Sequence, residues 1–245
     1  MSNKIPKIIH YCWLSEDPFP EKIQACIASW QKILPDYQIK RWSYNNFPRG
    51  KSKWVDQAFD SKKYAFAADY LRCYALFHEG GIYLDSDVEV LKSFDTLLNL
   101  PYFIGEEHDG AWEAAVIGST PGSKLFGKML DYYDSHDFIN QNGFDTTPMP
   151  KIMKKTGENL YDVEYINSHD SFNSKKPSLQ ILPFDYFSPK SYKTGEIEIT
   201  SRTFSIHHFT ASWHGPKEKL YECFSKLFGK RIAKALSKIW KYFRQ

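Results

Sequence analysis

The sequence predicts an α/β domain, and three observations carry that reading. Short runs of β-branched and aromatic residues alternate with stretches of helical periodicity through the first half of the chain. A pair of glycines, Gly80-Gly81, separates the longest helical stretch from a short apolar run. That run, within IYLDSDVEVL, ends in two aspartates one residue apart.

The elements follow in order. KIIHYCW (7–13) reads as a buried first strand, and SEDPFP as the loop after it. In EKIQACIASWQKIL, Ile23, Ile27, Trp30 and Ile33/Leu34 fall at helical spacing, and Pro35-Asp36 stops the helix. YQIKRW (37–42) is a second strand, and residues 54–79 are helical as one or two helices. YFIGEE and AAVIGST form a further strand pair ahead of the helix SKLFGKMLDYYDSH. Residues 140–203 read as irregular, with short strands at DVEYIN and LQILPF, and TFSIHHFTASW is a last strand and loop. Strands alternating with helices argue for a parallel-type sheet.

A chain of 245 residues suits one such domain, with or without a helical appendage. The four cysteines show no zinc-ligand spacing, so free thiols and a reducing cytoplasm are expected. No signal peptide and no membrane-length apolar run is read. Aromatic residues make up 17% of the chain, enough for sugar or base stacking and equally for a core.

Regular alternation would point Asp85 and Asp87 the same way, at the carboxyl end of a buried strand, where open α/β sheets bind ligands. Two hard oxygen donors there suit Mg²⁺ or Mn²⁺ bridging to phosphate. Without a cation or donors, burying both would cost several kcal/mol. Asp69 and Arg72, at i and i+3 on the preceding helix, share a face in apolar surroundings; the plainer reading is a surface ion pair worth under about 1 kcal/mol.

The pattern AxxADYLRxYxLxxxGGIYLDxD resembles glycosyltransferase family 32, the D-x-D sugar transferases, and more distantly the catalytic domains of clostridial glucosylating toxins. IPKIIHYCW and SIHHFTASW are similar to that family's first strand and closing segment. The resemblance implies a GT-A-type, Rossmann-like nucleotide-sugar-binding fold with a mixed central sheet, over residues 1–216, and hexose transfer with retention. Asp85 and Asp87 would hold Mn²⁺ or Mg²⁺ against the donor diphosphate. His207 would be the third ligand, with the adjacent His208 as the alternative. Asp69 would bond hydroxyls of the donor, and Arg72 would pair with it. Trp13 would stack on the base, and Ser212 and Trp213 would close over the diphosphate. Asp69, Arg72 and Asp87 are therefore the catalytic candidates. UDP-galactose or UDP-glucose is the preferred donor, with UDP-N-acetylhexosamine and GDP-mannose open. Glu106, Glu107 and His108 read as acceptor-side residues or as a solvated loop. Ala114-Ala115 replace an Asn frequent in the family, which leaves the acceptor contacts there without an amide.

Residues 217–245 carry nine Lys/Arg against two Asp/Glu and have an apolar helical stripe. They read as a basic amphipathic helix on an anionic membrane surface, or as a terminal helix packed on the domain. A lipid-linked saccharide acceptor in bacterial surface polysaccharide synthesis, at the inner face of the cell membrane, would give such a helix a purpose. The rest of the chain is mildly acidic and lacks a nucleic-acid module. Two rivals stand beside the transferase. IYLDSDVEV also fits the opening motif of haloacid-dehalogenase-type phosphatases, with Asp85 as nucleophile, but no later acidic pair follows. A non-catalytic carbohydrate-binding module predicts a broken metal site, yet both aspartates are present.

Overall fold

The central sheet has five strands, in the order β2-β1-β3-β6-β5. This computed structural model describes residues 4–210. Fold and site belong to the unit Met1–Phe209. The expected boundary at 216/217, the basic helix, Ser212 and Trp213 lie outside the described residues.

In chain order, β1 (Ile8–Cys12), α1 (Glu21–Ile33) and β2 (Gln38–Trp42) come first. The long helical stretch is two helices, α2 (Lys53–Asp60) and α3 (Tyr64–His78). Then come β3 (Gly81–Leu84), β4 (Val88–Val90), β5 (Tyr102–Glu106), β6 (Trp112–Ser119) and α4 (Lys124–Ser135). A small hairpin of β7 (Ile139–Asn140) and β8 (Gly143–Phe144) precedes α5 (Met149–Leu160). The last elements are β9 (Val163–Tyr165), β10 (Leu179–Ile181) and β11 (Ser205–His207).

The expected α/β class with a mixed central sheet is observed, and the parallel part argued from strand–helix alternation is β2, β1 and β3. β1 runs parallel to β2 and β3, but β6 lies antiparallel between β3 and β5. A short connection such as that from β5 to β6 can only return antiparallel, since a parallel return needs a crossover. Side chains alternate between two cores. Ile9, Ile82, Leu84 and Val116 pack with Trp30 of α1 on one face. Tyr83 and Ile117 pack with α2, α3, α4 and α5 on the other.

Residues 140–203 are more ordered than their composition suggests. The helix α5 is hidden in the sequence by Pro150, near its start, and by Gly157. Gly157 is explained by packing, because a Cβ there would meet Trp112 at 2.6 Å and Leu179 at 2.9 Å. β9 and β10 pair in parallel, and the chain just after β10 bonds to the edge of β5.

The two glycines after α3 are required by the backbone. Gly80 and Gly81 have φ of +65° and +101°, and a Cβ on Gly81 would lie 2.7 Å from the Ile8 carbonyl oxygen. They let β3 enter the sheet directly against β1. His10, fully buried, closes the same seam. Its Nε2 lies 2.8 Å from the Gly80 carbonyl, while Nδ1 accepts from the Trp42 indole at 3.2 Å. That pattern assigns the proton to Nε2, and burial holds the imidazole below its usual pKa. Cys12, Cys26 and Cys73 are buried free thiols.

Candidate active site

Asp85 follows the last residue of β3, the central parallel strand, and the chain turns there, with Val88 N–H bonded to the Asp85 carbonyl at 3.0 Å. The turn continues into β4, which pairs antiparallel with β11 in the register His207↔Val88. That pairing brings a histidine 120 residues downstream beside Asp87. One ligand atom each from Asp85, Asp87 and His207 lie within 4.8 Å of one another. His207 Nε2 is 3.5 Å from Asp87 Oδ1. Asp87 is 7% exposed.

Two carboxylates and an imidazole nitrogen, mostly buried and converging from two elements, are a donor set that fits a divalent cation. The electrostatics agree with that fit. Burial pushes the Asp85 carboxyl above its usual range, although Arg72 and His207 oppose the rise. Burial alone would lower His207, but Asp87, Glu113 and Asp85 outweigh it and raise its pKa to about 9. The cluster is charge-frustrated as folded, and a cation answers that directly.

The adjacent histidines point apart. His208 bonds Glu89 at 2.8 Å, so His207 is the one facing the aspartates.

Behind Asp85 stands Arg72, 5% exposed. Its guanidinium donates to Asp85 at 2.9 Å, lies 3.5 Å from Asp69 and also donates to the Ala114 carbonyl. The face of Tyr83 lies 4.3 Å below it. The Asp69–Arg72 pair is therefore buried, unlike the surface pair that its spacing allows. Burial lifts the Asp69 carboxyl to about 7, with Arg72 pulling it down and Asp85 pushing it up. It can thus donate as well as accept a hydrogen bond near neutrality.

The segment 114–119 serves through its backbone. Besides the Ala114 carbonyl on Arg72, the Ala115 carbonyl accepts from Asp85 N–H at 2.8 Å. The missing amide side chain is no defect in these contacts.

Trp13 lies at the end of β1, half-buried, with its ring edge-on to Phe19 at 4.9 Å and its N–H bonded to the Asp17 carbonyl. Nothing places it against the aspartates. The group 106–108 divides. His108 pairs with Glu198 at 3.0 Å, while burial and the nearby Glu113 lift the Glu107 carboxyl to about 7.

One site residue escapes the sequence reading. Glu113, 0% exposed in β6, has Oε2 3.5 Å from His207 Nδ1. Its signal was a lone carboxylate inside an otherwise apolar strand pattern, WEAAVIG.

Comparison with known proteins agrees with the motif. Residues 20–104 match the family described as the glycosyltransferase sugar-binding region containing the DXD motif. Over 223 residues the chain is 29% identical to a mannosyl phosphorylinositol ceramide synthase of Saccharomyces cerevisiae, covering 88% of this chain and 53% of that protein. It is 33% identical over 144 residues to an inositol phosphoceramide mannosyltransferase of Schizosaccharomyces pombe, covering 57% and 36%. The chain thus spans about half or less of the length of these curated relatives. A solved structure, the PaToxG glycosyltransferase, superposes with a TM-score of 0.47 at 22% identity, covering 62% of this chain and 69% of that one. The resemblance read from the D-x-D strand end is thus supported over residues 20–104, where the chain matches the glycosyltransferase sugar-binding region containing the DXD motif.

Proposed function

We propose that the protein transfers a hexose from a nucleotide sugar to a saccharide or glycolipid acceptor, with retention at the anomeric carbon. The observation that carries this reading is the convergence of Asp85, Asp87 and His207 within 4.8 Å at the end of the central strand. These three would hold Mn²⁺ or Mg²⁺, which as a Lewis acid supplies positive charge for the departing nucleoside diphosphate. Arg72, bonded to Asp85 and braced by Ala114, favours the ionised form of that carboxylate against its burial and aims it. Asp69, at the edge of the same cluster, exchanges hydrogen bonds with donor hydroxyls. Trp13 supplies a ring for the base, and Ser212 and Trp213 are the residues to test for closure over the diphosphate.

In a front-face reaction the leaving group sets the rate, so no strong base on the acceptor is required. The preferred donors remain UDP-galactose and UDP-glucose. The relatives named for mannosyl transfer to inositol phosphoceramide put GDP-mannose in the same panel and support a lipid-carried acceptor. A basic stretch at 217–245 suits an anionic membrane surface, the setting expected for such an acceptor and for surface polysaccharide synthesis.

The test is nucleoside diphosphate release from a panel of UDP- and GDP-sugars, with Mn²⁺, with EDTA, and in Asp85→Ala/Asp87→Ala protein. Slow, metal-dependent hydrolysis of one donor, reduced at least 100-fold in the double variant, is expected. Metal-independent turnover, or full activity in the variant, overturns the reading.

A further inference from the structure

Glu113 is a buried carboxylate in the middle of the domain, and burying an ion without a matched partner costs several kcal/mol. Its Oε1 accepts from the Ala115 N–H at 2.5 Å, which fixes the plane of the group. Its Oε2 faces Nδ1 of His207 at 3.5 Å, a charge contact rather than a formed hydrogen bond. Both of those atoms are buried and lack a hydrogen-bond partner. They face one another across a gap that a small ring movement would close. The other ring nitrogen, Nε2, is the one turned to Asp87 at 3.5 Å.

We infer that Glu113 is a positioning residue for the cation site, accepting the Nδ1 proton of His207 so that Nε2 presents its lone pair to the space between Asp85 and Asp87. This rests on the metal-dependent reading above. An imidazole ligates through one nitrogen only when that nitrogen is unprotonated, and the partner of the other nitrogen decides which tautomer is present. A carboxylate behind a metal-binding histidine typically contributes 10- to 100-fold in metal affinity. Glu113 also explains why so costly a side chain sits in β6. It does not complete the donor set itself, because its contact is to the nitrogen on the far side of the ring.

Glu113→Gln is the discriminating variant. Glutamine matches the shape but has one acceptor oxygen, which the Ala115 N–H occupies. Its amide N–H₂ then faces Nδ1, makes that nitrogen an acceptor and sends the proton to Nε2. The measurement is Mn²⁺ affinity, with Mn²⁺ alone as the probe, by electron paramagnetic resonance of the free ion. Circular dichroism checks that each variant is folded. Glu113→Gln is expected to bind Mn²⁺ about 10- to 100-fold more weakly than wild type. In a His207→Ala background the same change is expected to have no effect, because Glu113 acts through the ring.

Wild-type affinity in Glu113→Gln, or an equal loss with His207 already removed, overturns the inference and leaves the transferase reading intact. No Mn²⁺ binding by the wild type overturns the cation site and this inference together. Should Glu113→Gln not fold, Glu113→Asp withdraws Oε2 by one methylene and is expected to lose affinity as well. Wild-type binding by that variant sinks the idea.

Discussion

Asp69 and Arg72 lie one helical turn apart, Arg72 buried and Asp69 largely so, and their charges are answered differently. Arg72 meets Asp85, Ala114 and the Tyr83 ring, so its charge is answered on several sides. Among the described residues Asp69 is met by Arg72 at 3.5 Å, and burial raises its carboxyl to about 7. The folded-state pKa lies above the ordinary value of 3.8, so the folded chain binds this proton more tightly than the unfolded chain does. That contribution to stability is full below about pH 4 and is lost as pH rises through about 7. Asp69→Asn removes the cost of holding a buried charge. Relative to wild type, the metal-free variant is expected to gain stability between pH 5 and pH 8, by up to about 4 kcal/mol for three pK units. Urea unfolding at the two pH values measures it, and an unchanged difference contradicts the burial argument. At this scale the sequence named Asp69, Arg72, Asp85 and Asp87 through their spacing. Glu113 was missed because a single carboxylate in a strand carries no periodic signal. The choice between His207 and His208 needed the partner of each ring, which only packing supplies.

Among the elements, α5 shows where local preference and packing part. Its interior Gly157 weakens it on propensity alone, while Pro150 sits in the first turn, where proline is tolerated. Gly157 nonetheless lets the helix approach Trp112 and Leu179 more closely than any side chain would allow. Gly157→Ala sets two effects against each other. Alanine favours the helix by about 1 kcal/mol. Its Cβ would meet the Trp112 ring at 2.6 Å, and forced overpacking costs about 1–3 kcal/mol. The clash should win, lowering stability by up to about 2 kcal/mol on thermal or urea unfolding. A stabilised variant would show that α5 has room to shift. The strands β1, β3 and β6 were legible as apolar runs flanked by turn formers, and β2 as the short stretch between Pro35-Asp36 and the polar segment after Trp42. The short connection from β5 makes β6 antiparallel to it, but its pairing beside β3 was not legible, since side-chain alternation is the same whichever strand lies alongside.

At the scale of the whole molecule, the site is assembled from segments far apart in the chain. Asp69 and Arg72 come from α3, Asp85 and Asp87 from the turn after β3, Glu113 from β6 and His207 from β11. A ligand that ties these together stabilises all of them at once. Mn²⁺ with UDP at about 100 times the dissociation constant should add ~2.7 kcal/mol. For a chain of this size that is a rise in melting temperature of about 5–10 °C. EDTA and Asp85→Ala/Asp87→Ala should each abolish the rise, and a shift that survives both would place the binding elsewhere. What the sequence determined alone is the α/β class, the D-x-D strand end and the Asp69–Arg72 face. Each is a relation between neighbours, set by strand alternation, helical spacing or the backbone freedom of glycine. What the tertiary structure decided is the pairing of β6 with β3, the helix α5, the facing histidine and the buried Glu113. Those depend on which distant segment supplies the partner, and a buried polar group is settled by its partner rather than by its neighbours in sequence.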